Sequence, residues 1–194
     1  MTVSPKTGIV PPPTPFAIRA EKVCDVVARE GLLDACFGDS RHSRACQRLR
    51  NGRAPAEGLA FSAVRQGKLV GTLRLWHVSA GGTRALLLGP LAVDLSSRKL
   101  GVGTALMEHA LAAAEGRGHR AGILLGDAPY YARFGFSAKA AAALVLPGPF
   151  ERGRLLGLEF EPGALDGARG LIIPTGPAAT GASESRRALR ARAA

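Results

Sequence analysis

Residues 96–114, SSRKLGVGTALMEHALAAA, set two glycines one residue apart at the mouth of an apolar helix. No other stretch narrows the fold as far. A tight glycine turn at a helix start needs a strand that delivers the chain into it and a sheet face for the helix to cover. The upstream sequence supplies both. LAFSAVR (59–65) turns through Gln66-Gly67 into KLVGTLRLWHV (68–78), and Gly81-Gly82 leads into TRALLLGPLAVD (83–94). These segments predict an antiparallel meander with hairpin turns. In its third strand Gly89-Pro90 interrupts an apolar run. Proline has no N–H for the ladder and glycine often marks a bulge, so this strand is expected to be broken or splayed there.

The rest of the chain fills in around that unit. FAIRA (16–20) reads as a short strand. Residues 21–37 carry apolar side chains at 23, 26, 27, 32, 33 and 36, near helical period, with Gly31 as an expected break. RHSRACQRLRNG (41–52) predicts a second helix stopped at Asn51-Gly52. The apolar helix runs from 102 to about 116, and AGILLG (121–126) is a short buried strand. APYYARFG (128–135) is a short helix stopped by Gly135; FGFSA then opens onto another strand, and RLLGLEF (154–160) reads as the last. The order β-α-α-β-β-β-α-β-α-β predicts an α+β fold: a mixed, mostly antiparallel twisted sheet with helices on both faces.

A chain of 194 residues with 46% hydrophobic content suits one well-packed domain with tails. The domain is expected over 16–175, between a stiff, disordered leader at 1–15 with prolines at 11, 12, 13 and 15, and a basic, disordered tail at 176–194. No run reaches the eighteen apolar residues of a membrane span, and the first sixteen residues contain no signal-type apolar core. Cys24, Cys36 and Cys46 are odd in number and fit neither a zinc site nor a disulfide framework. Reduced thiols, a cytoplasmic location and no metal are therefore expected. The net charge of +11 is scattered along the chain, with two arginine clusters, at 41–53 and in the tail at Arg186, Arg187, Arg190 and Arg192. Neither interleaves aromatic residues, which argues against a stacking platform for nucleic acid. The basic tail is the one route left to such a partner, and a membrane partner is not expected.

The glycine turn itself is no dinucleotide fingerprint, because Leu106 stands where a third glycine would be needed. A Walker loop would need Gly-Lys-Ser/Thr, which is also missing. What remains is Arg98-x-x-Gly101-x-Gly103 after a Gly-Pro-broken strand. That arrangement resembles motif A of the GNAT superfamily, the acetyl-CoA-dependent N-acetyltransferases. Tyr131, Phe134, Gly135 and Phe136 in GDAPYYARFGF resemble that family's Tyr-x-x-(Phe/Leu)-Gly-Phe segment. GLAFSAV, GTLRLWHV, LLLGPLAV and LPGPFERGRLLGLEF are most similar to its YhbS-like branch, and the likeness covers about 16–175.

The resemblance implies a GNAT-type acyl-CoA N-acyltransferase fold. It also implies transfer of an acetyl group from acetyl-CoA to a primary amine of a small molecule or protein, by direct attack in a ternary complex. Coenzyme contacts are implied at Leu91, Ala92 and Val93 on the splayed strand and at Arg98, Lys99, Leu100, Gly101, Val102, Gly103 and Thr104 in the turn. Physics agrees: a helix start offers unpaired N–H groups and a positive dipole end to a pyrophosphate, and glycine lets the backbone come close. The Leu91 N–H is the implied donor to the thioester carbonyl. Tyr131 matches the position that often donates a proton to the departing thiolate, with plain packing as the other reading and Tyr130 as the fallback donor.

No base is legible. His77, at a strand end, reads as a structural residue, and His109, His119 and His42 have weaker claims. Asp94 either ends the strand or caps the next turn. Arg74 and Trp76 share strand parity and either line an acceptor pocket or pack against the first two helices. A second functional class stays open alongside the enzyme: a catalytically weak acyl-CoA-binding module with a regulatory, nucleic-acid or acidic-protein partner. Monomer and homodimer are equally compatible with the sequence.

Overall fold

A computed structural model describes residues 15–179. Among these the chain forms nine strands: β1 (Ala17–Ala20), β2 (Ala60–Arg65), β3 (Lys68–Ala80), β4 (Thr83–Leu88), β5 (Ala92–Val93), β6 (Ala121–Leu125), β7 (Leu144–Val145), β8 (Leu155–Glu159) and β9 (Gly170–Pro174). Four α-helices accompany them: α1 (Val26–Phe37), α2 (Ala45–Arg50), α3 (Val102–Glu115) and α4 (Ala128–Ala132). No helix among the described residues is long and apolar enough to cross a membrane.

The long strand β3 is the spine. One of its edges pairs with β2 and then β9, and the other with β5 and then β4. The sheet continues from β4 through β6 to β8, and β1 flanks β2. All pairings are antiparallel except β4 with β6 and β7 with β9. The expected break in the third strand is present. β4 ends at Leu88, a cis Gly89–Pro90 peptide follows, and pairing to β3 resumes at Ala92 with Thr72. Beyond Leu87 no residue of that strand pairs with β6, so the two parallel strands part and leave an opening between them.

Strand alternation divides the core into two faces. Leu73, Leu75, Leu86 and Leu88 point one way, under α3 with its Val102, Leu106, Met107 and Ala110. Trp76, Val78, Ala85 and Leu87 point the other way, toward Ala45 and Leu49 of α2. The apolar run Ala85–Leu88 is thus buried on both sides, as a central strand of a two-faced sheet should be. α3 lies close against the spine because Gly71 has no side chain: a β-carbon there would meet Val102 at 2.8 Å and Leu106 at 2.9 Å.

Two expectations are corrected. α1 runs through Gly31 without a break. An interior glycine costs a helix about 1 kcal/mol, while Leu32 and Leu33 on the same turn are buried against Ala92, and burying a leucine contributes more than that. RLLGLEF is not the last strand, because β9 follows and pairs with both β3 and β7. The ordered chain also continues past 175. Arg53 donates to the Gly176 carbonyl at 2.7 Å, and the Ala179 N–H donates to Gly52 at 3.0 Å. The leader at 1–14 and the arginines from 186 onward lie outside the described residues. Deleting 181–194 is expected to leave the melting temperature and acetyl-CoA affinity unchanged, since it removes none of these bonds. A marked fall in Tm by calorimetry would show that the tail supports the domain.

The N-terminal corner is held by one carboxylate. Asp25 is buried and accepts from Arg19 at 2.6 and 2.8 Å, from the Lys22 N–H at 2.8 Å and from the Ser62 hydroxyl at 3.1 Å, so it ties β1 and the start of α1 to β2. The Arg19 guanidinium, with the Lys22 and Ser62 donors, holds its pKa well below the usual carboxylate range against the opposing effect of burial. A depressed pKa contributes stability above the unfolded value, near pH 4, and that contribution is lost as pH falls through the folded value. Asp25→Asn should therefore cost about 1–3 kcal/mol in urea unfolding at pH 7. The difference from wild type should shrink below pH 4; a difference that stayed constant to pH 3 would refute the assignment.

Candidate functional site

The glycine turn is built by local rules. Asp94 accepts from the Ser96 N–H at 2.9 Å and so caps the short 3₁₀ turn Leu95–Ser97. Of its two sequence readings, the cap is the one realised. Gly101 then adopts φ +80°, a left-handed conformation that favours glycine, and reverses the chain into α3. Gly103 serves a different purpose. A β-carbon on it would lie 3.1 Å from the Tyr130 hydroxyl and 3.6 Å from Val93 Cγ2.

These residues line a groove of about 480 Å³. Nine of the ten expected coenzyme contacts border it: Leu91, Ala92, Val93, Arg98, Lys99, Gly101, Val102, Gly103 and Thr104. Leu100 does not. It faces outward, and its N–H is spent on the Ser97 carbonyl inside the turn. The first-turn N–H groups of α3, at Val102, Gly103 and Thr104, have no carbonyl within the helix to bond. Beside them Ser97 is buried with its hydroxyl unpartnered. Unpaired donors at a positive helix end, with Arg98 and Lys99 adjacent, fit an anionic phosphate group.

Just after β5 the Asp94 N–H donates back to the Val70 carbonyl of the spine. Alternation along an extended strand then turns the N–H groups of Leu91 and Val93 away from β3, toward the opening. Leu91 also borders a second, deeper cavity of about 700 Å³, shared with Gly89, Pro90, Tyr130 and Tyr131. Groove and cavity therefore meet at Phe37, Leu91 and Tyr130.

Tyr131 is seated by packing. A β-carbon on Gly126 would run into its ring, and Phe136 lies edge-on at 6.1 Å. Burial, with help from Tyr130 and Asp127 and against Arg154, pushes its phenol up to about 12. Such a group keeps its proton at any ordinary pH. Tyr130, the fallback donor, sends its hydroxyl toward Gly103 at the groove. It sits edge-on to Tyr131, with ring centroids 4.9 Å apart.

Arg74 and Trp76 do share a face, but neither lines the main cavity. Arg74 is paired with the buried carboxylate of Glu21, which Arg29 also holds. The Trp76 indole N–H donates to the Gly89 carbonyl at 2.8 Å and so fastens the splayed strand. Both belong to a smaller side pocket. The histidines stand apart from the cavity as well: His77 lies against His119 and His109 is edge-on to Phe61. Asp127 is the one carboxylate among the described residues that borders the cavity.

Sequence reasoning missed Cys36 and Phe37, which α1 brings to the groove, and Arg50, which α2 brings to the cavity. Their helices are placed by tertiary packing alone, and no local pattern distinguishes these residues from their neighbours.

Residues 56–138 match the acetyltransferase (GNAT) domain family. The fold is similar to that of the GNAT family N-acetyltransferase YhbS from Escherichia coli, solved in complex with CoA: 26% identity, TM-score 0.71, covering 86% of this chain and 93% of that one. The chain is similar to GNAT N-acetyltransferases in both this segment and its fold. A GNAT family acetyltransferase from Brucella melitensis, solved in complex with acetyl-CoA, is 26% identical with a TM-score of 0.59 over 87% of this chain and 97% of that one. A GNAT acetyltransferase from Staphylococcus aureus shares the fold at 14% identity and a TM-score of 0.53. Among curated proteins no sequence matches. The matched GNAT segment spans the meander, the glycine turn, α3 and the tyrosine pair, which are among the elements that build groove and cavity.

Proposed function

We propose that this GNAT domain transfers an acetyl group from acetyl-CoA to a primary amine, by direct attack in a ternary complex. The observation that carries the reading is convergence. The outward Leu91 N–H and the protonated Tyr131 border one cavity, and that cavity opens into the groove at the start of α3. Acetyl-CoA supplies an activated acetyl thioester. The turn from Arg98 to Thr104 would hold its pyrophosphate, and the edge of Leu91–Val93 would pair with its pantetheine arm as an added strand. The Leu91 N–H would hold the carbonyl oxygen where negative charge develops. Tyr131 would hold a proton for the leaving sulfur. Asp127, at the cavity wall, would receive the proton of the incoming amine, directly or through water.

The reading places the protein in the cytoplasm, with the working domain at 16–175 and the ordered residues 176–179 fastened to its edge. It is tested by incubating purified protein with acetyl-CoA and a panel of amines and peptides and following CoA thiol release. Amine-dependent release supports transfer. Tight acetyl-CoA binding with no amine-dependent release would favour a binding module instead.

A further inference from the structure

The first arginine cluster of the sequence, scattered over 41–53, resolves into unequal members. Arg41 is neutralised by Glu30 and Asp34, both at 2.7 Å. Arg44 stacks over Phe37 near the surface, its guanidinium 5.2 Å from the ring centre. Arg50 differs from both. Its side chain lines the main cavity and the adjoining side pocket, yet among the described residues it makes no ion pair, and its Nε is buried without a hydrogen-bond partner. A buried cation with no counterion is costly, and charged side chains in such places are normally paired. Burial, reinforced by Arg41 and Arg44, pushes Arg50 down to about 10 in spite of the Cys46 thiol, so its surroundings disfavour further positive charge and no carboxylate among the described residues pairs with it. Arg154 adds a further cavity-lining guanidinium that, like Arg44, forms no ion pair among the described residues.

The position of Arg50 relates it to the acetyl donor site. Measured from a β-carbon built on Gly89, the Leu91 nitrogen lies at 3.6 Å and Arg50 Nη1 at 3.9 Å, so the sum of the two, about 7.5 Å, bounds their separation. A group held by Arg50 is therefore only a few bonds from an amine that reaches a carbonyl on the Leu91 N–H.

We infer that Arg50 is the recognition residue for an oxyanion, foremost a carboxylate, carried by the acceptor close to its reacting amine. This rests on the acetyl-transfer reading above and names its substrate class: small amino acids or other amines with an acidic group a few bonds from the nitrogen. The guanidinium fork matches a carboxylate bidentately and would gain in the cavity the partner it lacks in the chain. Simple alkylamines and polyamines, which bring only further positive charge to a cavity lined by arginines, are the disfavoured class.

The test compares matched pairs with acetyl-CoA: tyrosine with tyramine, histidine with histamine, lysine with cadaverine, and O-phosphoethanolamine with ethanolamine as the phosphate arm. Each pair is read by CoA release in the wild type and in Arg50→Met, whose acetyl-CoA-induced rise in Tm checks the fold. The oxyanion-bearing member is expected to win by about 10- to 100-fold in kcat/KM, the usual worth of a charged hydrogen-bonded contact. Arg50→Met should collapse that ratio toward one, and Arg50→Lys should restore part of it. Turnover without preference, or a preference that survives Arg50→Met, overturns the inference and leaves acetyl transfer standing. If nothing is turned over, calorimetric titration of the same pairs into the CoA-bound protein decides. Selective binding lost in Arg50→Met upholds the inference while sinking the transfer reading, and absence of selective binding overturns it.

Discussion

Gly103→Val is expected to abolish the rise in melting temperature that acetyl-CoA gives the wild-type chain. A ligand that binds only the folded state stabilises it by mass action. At a hundredfold excess over Kd this is about 2.7 kcal/mol, or about 5–10 °C for a domain of this size. At Gly103 a first side-chain carbon already sits 3.1 Å from the Tyr130 hydroxyl and 3.6 Å from Val93, so the two methyls of valine must enter the groove itself. The position is helical, and valine adopts helical backbone angles at a modest cost in propensity. The unliganded variant should therefore melt close to wild type. A Gly103→Val protein that kept the full shift would show that the coenzyme does not approach the start of α3.

Tyr131→Phe should lower kcat by about tenfold to a thousandfold, toward the low end of general-acid effects because a thiolate is already a fair leaving group. The ring stays, so its packing against Gly126 and Phe136 and the binding of acetyl-CoA should hold. With its phenol pushed up to about 12, Tyr131 remains protonated through the working range. The descending limb that an ordinary tyrosine would place near pH 10 should thus be absent from the wild-type profile, and the variant should show the same shape at lower amplitude. Tyr130→Phe is the contrasting control. Its hydroxyl lies at Gly103 on the groove, so the expected change is in KM for acetyl-CoA rather than in kcat. Equal kcat for wild type and Tyr131→Phe, with chemistry rate-limiting, would assign this ring to packing and proton delivery to water.

Much of the site is legible from short contiguous signals. Pro90 removes a ladder donor wherever it stands, and Gly101 permits a left-handed turn whatever surrounds it. The broken strand, the turn and the helix after it could therefore be placed from residues 83–116 alone, and the parity that puts Arg74 and Trp76 on one face from residues 68–78. Their partners could not. Arg74 is engaged by Glu21, 53 residues away, and Trp76 by Gly89. Gly31 shows the same limit in reverse: its local signal to break the helix is outweighed by Leu32 and Leu33 packed against Ala92, some sixty residues further on.

By itself the sequence determined the elements whose causes are local: the meander, the splay at Gly89-Pro90, the glycine turn and the tyrosine pair next to Gly135-Phe136. Tertiary structure alone decided what meets across them. It placed Tyr130 against Gly103, brought Cys36 and Phe37 to the groove, added β9 to the edge of the spine and left Arg50 at the cavity with its Nε buried and unpartnered. The reason is physical. Backbone stereochemistry acts between neighbours in sequence, while burial, charge pairing and cavity shape depend on which distant surfaces pack together, and no local pattern carries that information.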